Sequence, residues 1–196
     1  MKNVIQLLAS ALFLLTVSGC KFSESVILGF RPVKEKTEAQ LLRYEKRKGL
    51  QTDNNYYYID SASYYNNLAK TLNEDGFTRM EVYDKHGNLL PPYDTADCPA
   101  PLNRYLASLC TNTQEPIAGT ALAEKMKLIK PFKNNAAAAI YNPADYDYTV
   151  ILYWGRFMGI SNKLNARNFE QVLKKHEGCK IHYFKVTLDP VNILRQ

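Results

Sequence analysis

The chain has 196 residues, 46% of them hydrophobic, with 25 basic and 19 acidic side chains and a net charge of +6 with histidine neutral. That length and apolar content suit one domain with a sizeable core, not a disordered segment or a tandem of domains. Acids and bases are interspersed and the longest charge cluster is Glu45-Lys46-Arg47-Lys48, so the mild basic excess reads as a solvated surface and no nucleic-acid partner is expected.

In chain order, a single cation, Lys2, precedes an apolar run from Val4 to Val17. A spanning helix needs roughly 20 apolar residues, so this shorter run fits a secretory signal. It ends in Val17-Ser18-Gly19-Cys20: an aliphatic residue, two small residues and a cysteine. This order resembles the lipobox of bacterial lipoproteins. The resemblance implies cleavage before Cys20, diacylglycerol on its thiol and acyl chains such as palmitate that hold the mature protein on a membrane. Two or three chains anchor a protein firmly, each buried methylene contributing roughly 0.8 kcal/mol. Position 21 is Lys and not Asp, which by the same resemblance implies the outer membrane of the cell envelope. Residues 1–19 are then a signal peptide, and the mature part keeps 24 basic and 19 acidic residues, about +5.

Residues 20–50 read as anchor and stalk. Thr37 to Lys48 has helix formers but a thin apolar stripe, chiefly Leu41 and Leu42, before Gly49, and reads as a stalk or a loosely packed first helix. The globular domain is expected over 51–196. Asn54 to Ile59 predicts a strand on its three tyrosines. A helix should follow, capped by Asp60 or Ser61, with Tyr64, Tyr65, Leu68, Ala69 and Leu72 at helical spacing and Gly76 as its stop. Met80 and Val82, the turn Asp84-Lys85-His86-Gly87-Asn88 and Leu89-Leu90 predict an antiparallel hairpin that Pro91-Pro92 cuts short. Short helices are predicted over Leu102 to Leu109 and from near Thr120, the second using Leu122, Met126 and Ile129 and ending at Pro131. Ala136 to Ala139 stays unassigned.

The last fifty residues carry the clearest pattern. Tyr148 to Trp154 is a continuous apolar and β-branched run suited to a buried strand. A helix from about Asn162 to Glu177 follows, stopped by Gly178, and then a strand over Lys180 to Leu188. Strand, helix and strand make a βαβ unit with parallel strands. The fold class is therefore α/β or α+β: a single domain whose mixed sheet joins this C-terminal unit to the upstream hairpin.

With Cys20 lipidated, Cys98, Cys110 and Cys179 remain. In an oxidising envelope Cys98 and Cys110 form the expected disulfide, closing a short loop that stabilises by roughly 3 kcal/mol at most. Cys179 is left as a small buried hydrophobe. The fourteen tyrosines cluster at 56–58, 64–65 and at Tyr141, Tyr146, Tyr148 and Tyr153. Such rings can cover a sugar face or a partner surface, and they equally suit half-buried strands.

Thr149 to Lys163, the helix after it and Lys185-Val186-Thr187-Leu188-Asp189 resemble the first half of a thioredoxin-like core over about forty residues. In that family a buried strand ends in an aromatic-rich turn, Cys-x-x-Cys opens a helix and the next strand ends near an Asp. Aligned so, the two motif positions are Met158 and Ser161, and neither is a thiol. Methionine has no proton to lose and a serine hydroxyl cannot resolve a mixed disulfide, so the family's usual exchange is not expected there. His86, His176 and His182 show no zinc spacing, Ser161 lacks a nucleophile elbow, and no phosphate loop is present. Asp60, Glu81, Asp84, Asp94, Asp97, Asp145 and Asp147 read as solvated acids, mostly in turns. No catalytic residue, metal or cofactor is expected.

Two functions follow as expectations. The first is a lipid-anchored, non-catalytic envelope protein that binds an unknown protein or small-molecule ligand, through aromatic surface near Tyr146, Tyr148 and the loop Gly155 to Ser161. The second, implied by the thioredoxin likeness, is an envelope thiol-disulfide oxidoreductase or peroxidase-like enzyme that cycles Cys98 and Cys110.

Overall fold

The structure, a computed structural model, describes residues 33–50, 56–60, 63–73, 80–91, 104–105, 108–111, 114–132, 141–159, 166–175 and 178–192. Cys20, Cys98 and Ser161 lie outside the described residues.

Five strands build one mixed sheet: β1 (Tyr56–Ile59), β2 (Met80–Asp84), β3 (Ile129–Pro131), β4 (Tyr148–Trp154) and β5 (Ile181–Thr187), in the order β2-β4-β5-β1-β3. β4, β5 and β1 run parallel, with Tyr148 opposite Ile181, Trp154 opposite Thr187 and Tyr58 opposite Thr187. β2 and β3 close the two edges antiparallel, with Met80 opposite Leu152 and Ile59 opposite Ile129. The expected α/β single domain with a mixed sheet is thus present. β4, helix α4 (Ala166–Lys175) and β5 make the βαβ unit.

Alternation along the strands sorts side chains into two layers. One face collects Tyr57, Ile59, Tyr83, Ile151, Tyr153, Phe184 and Val186, covered by Tyr64 and Leu68 of α2 (Tyr64–Asn73) and Leu122 and Met126 of α3 (Leu122–Lys127). The other collects Met80, Val82, Val150, Leu152 and Tyr183 under Phe169 and Leu173 of α4, with Tyr105 and Leu109 beside them. On this second face, near the carboxyl ends of the parallel strands, α1 (Glu38–Lys48) packs Leu41 and Tyr44 against Tyr58, Trp154 and Val191.

Three expectations are corrected here. First, of the stalk and the loosely packed helix expected within 20–50, the helix is present but neither a stalk nor loosely packed: Leu41 is fully buried, and Lys36 pairs with Val191 beyond β5. Its ends are well made. Thr37 and Gln40 form a reciprocal capping box, and Gly49, at φ 69°, returns its N–H to the last carbonyls. Second, Ile129 and Pro131 form edge strand β3, although a helix running to Pro131 was expected. At an edge proline costs no sheet hydrogen bond, and pairing with Ile59 buries Ile129, whereas a longer α3 would have met Pro131 with a clash. Third, Cys110 is bonded to Cys179, not to Cys98, with Cα atoms 5.6 Å apart. Cys110 follows Leu109 in the layer over Val82 and Tyr183, and Cys179 leads into β5 of the same layer. Packing, not loop length, chose the partner.

The hairpin after β2 matches its expectation. Asp84 accepts from the backbone N–H groups of His86 and Asn88 at 2.8 and 2.9 Å, Gly87 takes φ 79°, and the Leu90 N–H returns to the Val82 carbonyl.

Candidate functional site

Parallel strands of an open α/β sheet place ligands beyond their carboxyl ends. Here that end is made by Trp154, Thr187 and Ile59 and by the turns that leave β4 and β5. The β4 exit, Gly155 and a 3-10 turn over Arg156–Met158, is clamped to the β5 exit. Leu188 donates its N–H to the Trp154 carbonyl at 2.7 Å, and buried Asp189 accepts the Arg156 backbone N–H. The Asp189 N–H donates to Thr187 Oγ1 at 3.1 Å, and the Tyr64 hydroxyl donates to the neighbouring Leu188 carbonyl. Burial raises the Asp189 carboxyl above its usual value, against the Arg156 N–H and guanidinium, which lower it. A Cβ at Gly155 would stand 2.6 Å from the Phe157 ring, so glycine lets that ring fold back over the turn.

Met158, which the thioredoxin-like alignment sets at the first motif position, is buried in the core with Tyr64 and Leu188. Its role here is packing. The Cys110–Cys179 bridge lies before Ile181, at the opposite end of a seven-residue strand, about 20 Å away along the sheet. The expected aromatic surface is split in the same way. Tyr146 and Tyr148 stand at the start of β4 and the Gly155 turn at its finish, so they do not form one face.

Each half has its own surroundings. At the amino end, Tyr141 stacks on His182 with centroids 4.6 Å apart, Tyr146 lies 4.8 Å from the same ring, and Phe184 meets both Tyr141 and His182 edge-on. Tyr141 and Thr149 hydroxyls share a hydrogen bond. Burial among these rings pushes His182 down to about 4. An NMR titration should therefore find its imidazole neutral throughout pH 5 to 8. Because the unfolded chain protonates near 6.5 and the folded one only near 4, this residue lowers stability as pH falls across that window. A ring that titrates near 6.5 in the folded protein would contradict the packing.

At the carboxyl end the surroundings are cationic. The Tyr44 ring stacks against Trp154, interplanar angle 7° and centroids 6.4 Å apart, and three cations gather over it: Arg156 at 5.4 Å, Arg47 at 5.7 Å and Lys48 at 5.8 Å from its centroid. Arg167 of α4 reaches the same place, its guanidinium about 3.7 Å from where a Gly49 Cβ would be. Cations over a tyrosine face gain about 0.5–1 kcal/mol each at exposed sites. Among the described residues neither Arg47 nor Lys48 has an ion pair. The Trp154 indole N–H is enclosed without a hydrogen-bond partner among those residues.

Comparison with family models, curated proteins and solved structures finds no match to this chain. Its chemistry rests on its own residues.

Two buried polar sites escaped the sequence reading. Glu81, expected as a solvated acid, faces the α3 layer and accepts from Lys125 Nζ at 2.9 Å and from the hydroxyls of Tyr83 and Tyr153 at 2.8 and 3.0 Å. Burial, together with the Glu81 charge, holds the Tyr153 phenol well above its usual value. On the other face Lys185 donates to Glu170 of α4 at 2.6 Å with both side chains enclosed. These pairs are filled and packed. They position α3 and α4, and neither opens toward solvent. Alternation could have flagged both, since Glu81 shares the parity of Tyr83 and Lys185 that of Tyr183. Among the described residues no three His, Cys, Asp or Glu side chains converge as a metal site would require, and no helix is long and apolar enough to cross a membrane.

Proposed function

We propose that this chain is a lipid-anchored envelope protein, held at the outer membrane through Cys20, whose α/β domain binds a partner or ligand and does not catalyse thiol exchange. The thioredoxin likeness belongs to this proposal as a matter of fold. β2 lies antiparallel beside β4 on the side away from β5, so the upstream hairpin occupies a sheet position that a complete thioredoxin-like core would fill from downstream.

The observation that carries the binding reading is the distance of the Cys110–Cys179 bridge from the β4 exit. Position 158 is a core methionine, and the bridged cysteines stand at the far end of the sheet, under the layer of Leu109 and Tyr183. The β4 exit instead supports an arginine and an aromatic stack with further cations around it, which is a surface for recognition. For the rival oxidoreductase the bridge would have to open and a thiolate reach substrate.

Two measurements check the proposal. Cys20→Ser should move the protein out of the membrane fraction after detergent-free lysis, or leave it as an unprocessed precursor of higher mass; processed protein that still floats with membranes would contradict the anchor. Purified protein should show no turnover in insulin reduction, whereas steady turnover abolished by Cys110→Ser would establish the oxidoreductase.

A further inference from the structure

Helix α1 carries two acids and four bases, and folding sorts them. Glu38 and Glu45 are buried, 8% and 0% exposed, whereas Arg43, Lys46 and Arg47 are exposed and Lys48 is half-buried. Arg43, Lys46 and Arg47 are three and four residues apart and so share one stripe, facing away from Leu41 and Glu45. Cations in a last helical turn complement the helix dipole, which accounts for Lys46, Arg47 and Lys48. It does not account for Arg43, nor for Arg156 and Arg167, which come from the β4 exit and from α4 to the same corner. A helix of mixed charge thus presents a basic stripe outward while its two acids are buried.

We propose that the outward stripe of α1, Arg43, Lys46 and Arg47, with Lys48, Arg156 and Arg167 beside it, is a contact surface for anionic lipid headgroups. The inference rests on the anchor reading and names the partner of the carboxyl-end surface. Charge complementarity is the first support, because delocalised guanidinium groups suit phosphate oxygens and the exposed stripe of α1 carries no acid. The absence of bulk is the second. Among the described residues the large hydrophobic side chains that are exposed are Val33 and Tyr65, neither on this stripe, so contact would be at headgroup depth without insertion. The third is chain length. Seventeen residues separate Cys20 from Glu38, which covalent geometry limits to about 60 Å, so an anchored domain meets headgroups at millimolar effective concentration.

The chain has one tryptophan, Trp154, stacked on Tyr44 beneath this surface, and it serves as the probe. Full-length lipidated protein is reconstituted into phosphatidylcholine vesicles with or without phosphatidylglycerol, each containing a dansyl-headgroup lipid, and energy transfer from Trp154 is read. Transfer should rise about two-fold on the anionic vesicles, return to the neutral value in about 0.5 M salt, and stay at the neutral value in the Arg43→Gln, Lys46→Gln, Arg47→Gln variant. Equal transfer on both vesicle types, or a rise that survives the triple substitution, would overturn the proposal. All three sites are exposed, and the salt response of the unaltered protein tests the same point without any substitution. Inorganic phosphate without vesicles should leave Trp154 emission unchanged, and a saturable change would replace the lipid surface by a discrete phosphate site. Flotation with neutral vesicles reads the anchor separately: protein that fails to float there, yet floats with anionic vesicles in the triple-sensitive way, refutes the anchor and retains the basic contact.

Discussion

Cys179→Ala is expected to destabilise the folded protein by about 4 kcal/mol, because the Cys110–Cys179 bridge spans 69 residues and restricts the unfolded chain accordingly. The bridge ties the layer of Tyr105 and Leu109 to the start of β5, so the folded state should keep its sheet when the bond is lost and pay chiefly in unfolding free energy. Urea denaturation of Cys179→Ala and Cys110→Ala should give equal losses, since each removes the same cross-link, and reduction of the unaltered protein should reproduce them. A peptide map under non-reducing conditions supplies the decisive control. It should recover the Cys110 peptide joined to that of Cys179; recovery joined to Cys98 would contradict the layer assignment.

Lys185→Met alone should cost about 3–5 kcal/mol, as should Glu170→Leu alone, whereas the double replacement should return to within about 1 kcal/mol of the parent. Lys185 is fully enclosed at the centre of the sheet and meets Glu170 at 2.6 Å. Removing one partner takes away the opposite charge that the other faces where water cannot reach it. Removing both substitutes apolar side chains of similar volume, and the lost attraction is then offset by the desolvation that is no longer required. A double-mutant cycle by urea denaturation measures the coupling directly. Additive losses would mean that the two groups are solvated independently and that α4 does not seal this part of the sheet.

The C-terminal βαβ unit was legible because one rule governed each of its parts. Tyr148 to Trp154 is apolar on both faces, as a strand covered on both sides must be, and Phe169, Val172 and Leu173 repeat at helical spacing before a basic last turn. Ile129 was misplaced because a three-residue edge strand leaves too short a pattern to compete with the helical spacing of Leu122, Met126 and Ile129. The close packing of helix α1 was not legible for a different reason. Its inner face is Glu38, Leu41, Tyr44 and Glu45, and two carboxylates on a buried face disguise it as a solvated one. The carboxyl-end site was legible only in pieces. Lys46, Arg47 and Lys48 stand out as a charge run, but Arg156 and Arg167 join them through the approach of β4 and α4 to α1, a tertiary fact that local spacing does not contain. The same holds for Cys110 and Cys179, distant in the chain and adjacent across one layer.

Mass spectrometry of the amino-terminal peptide from protein extracted from cell membranes tests the central claim, a domain tethered to lipid. The expected peptide begins at Cys20 and carries the mass of a diacylglyceryl group with or without a third acyl chain. A peptide that begins elsewhere, or a Cys20 with a free thiol and no acyl mass, would contradict it.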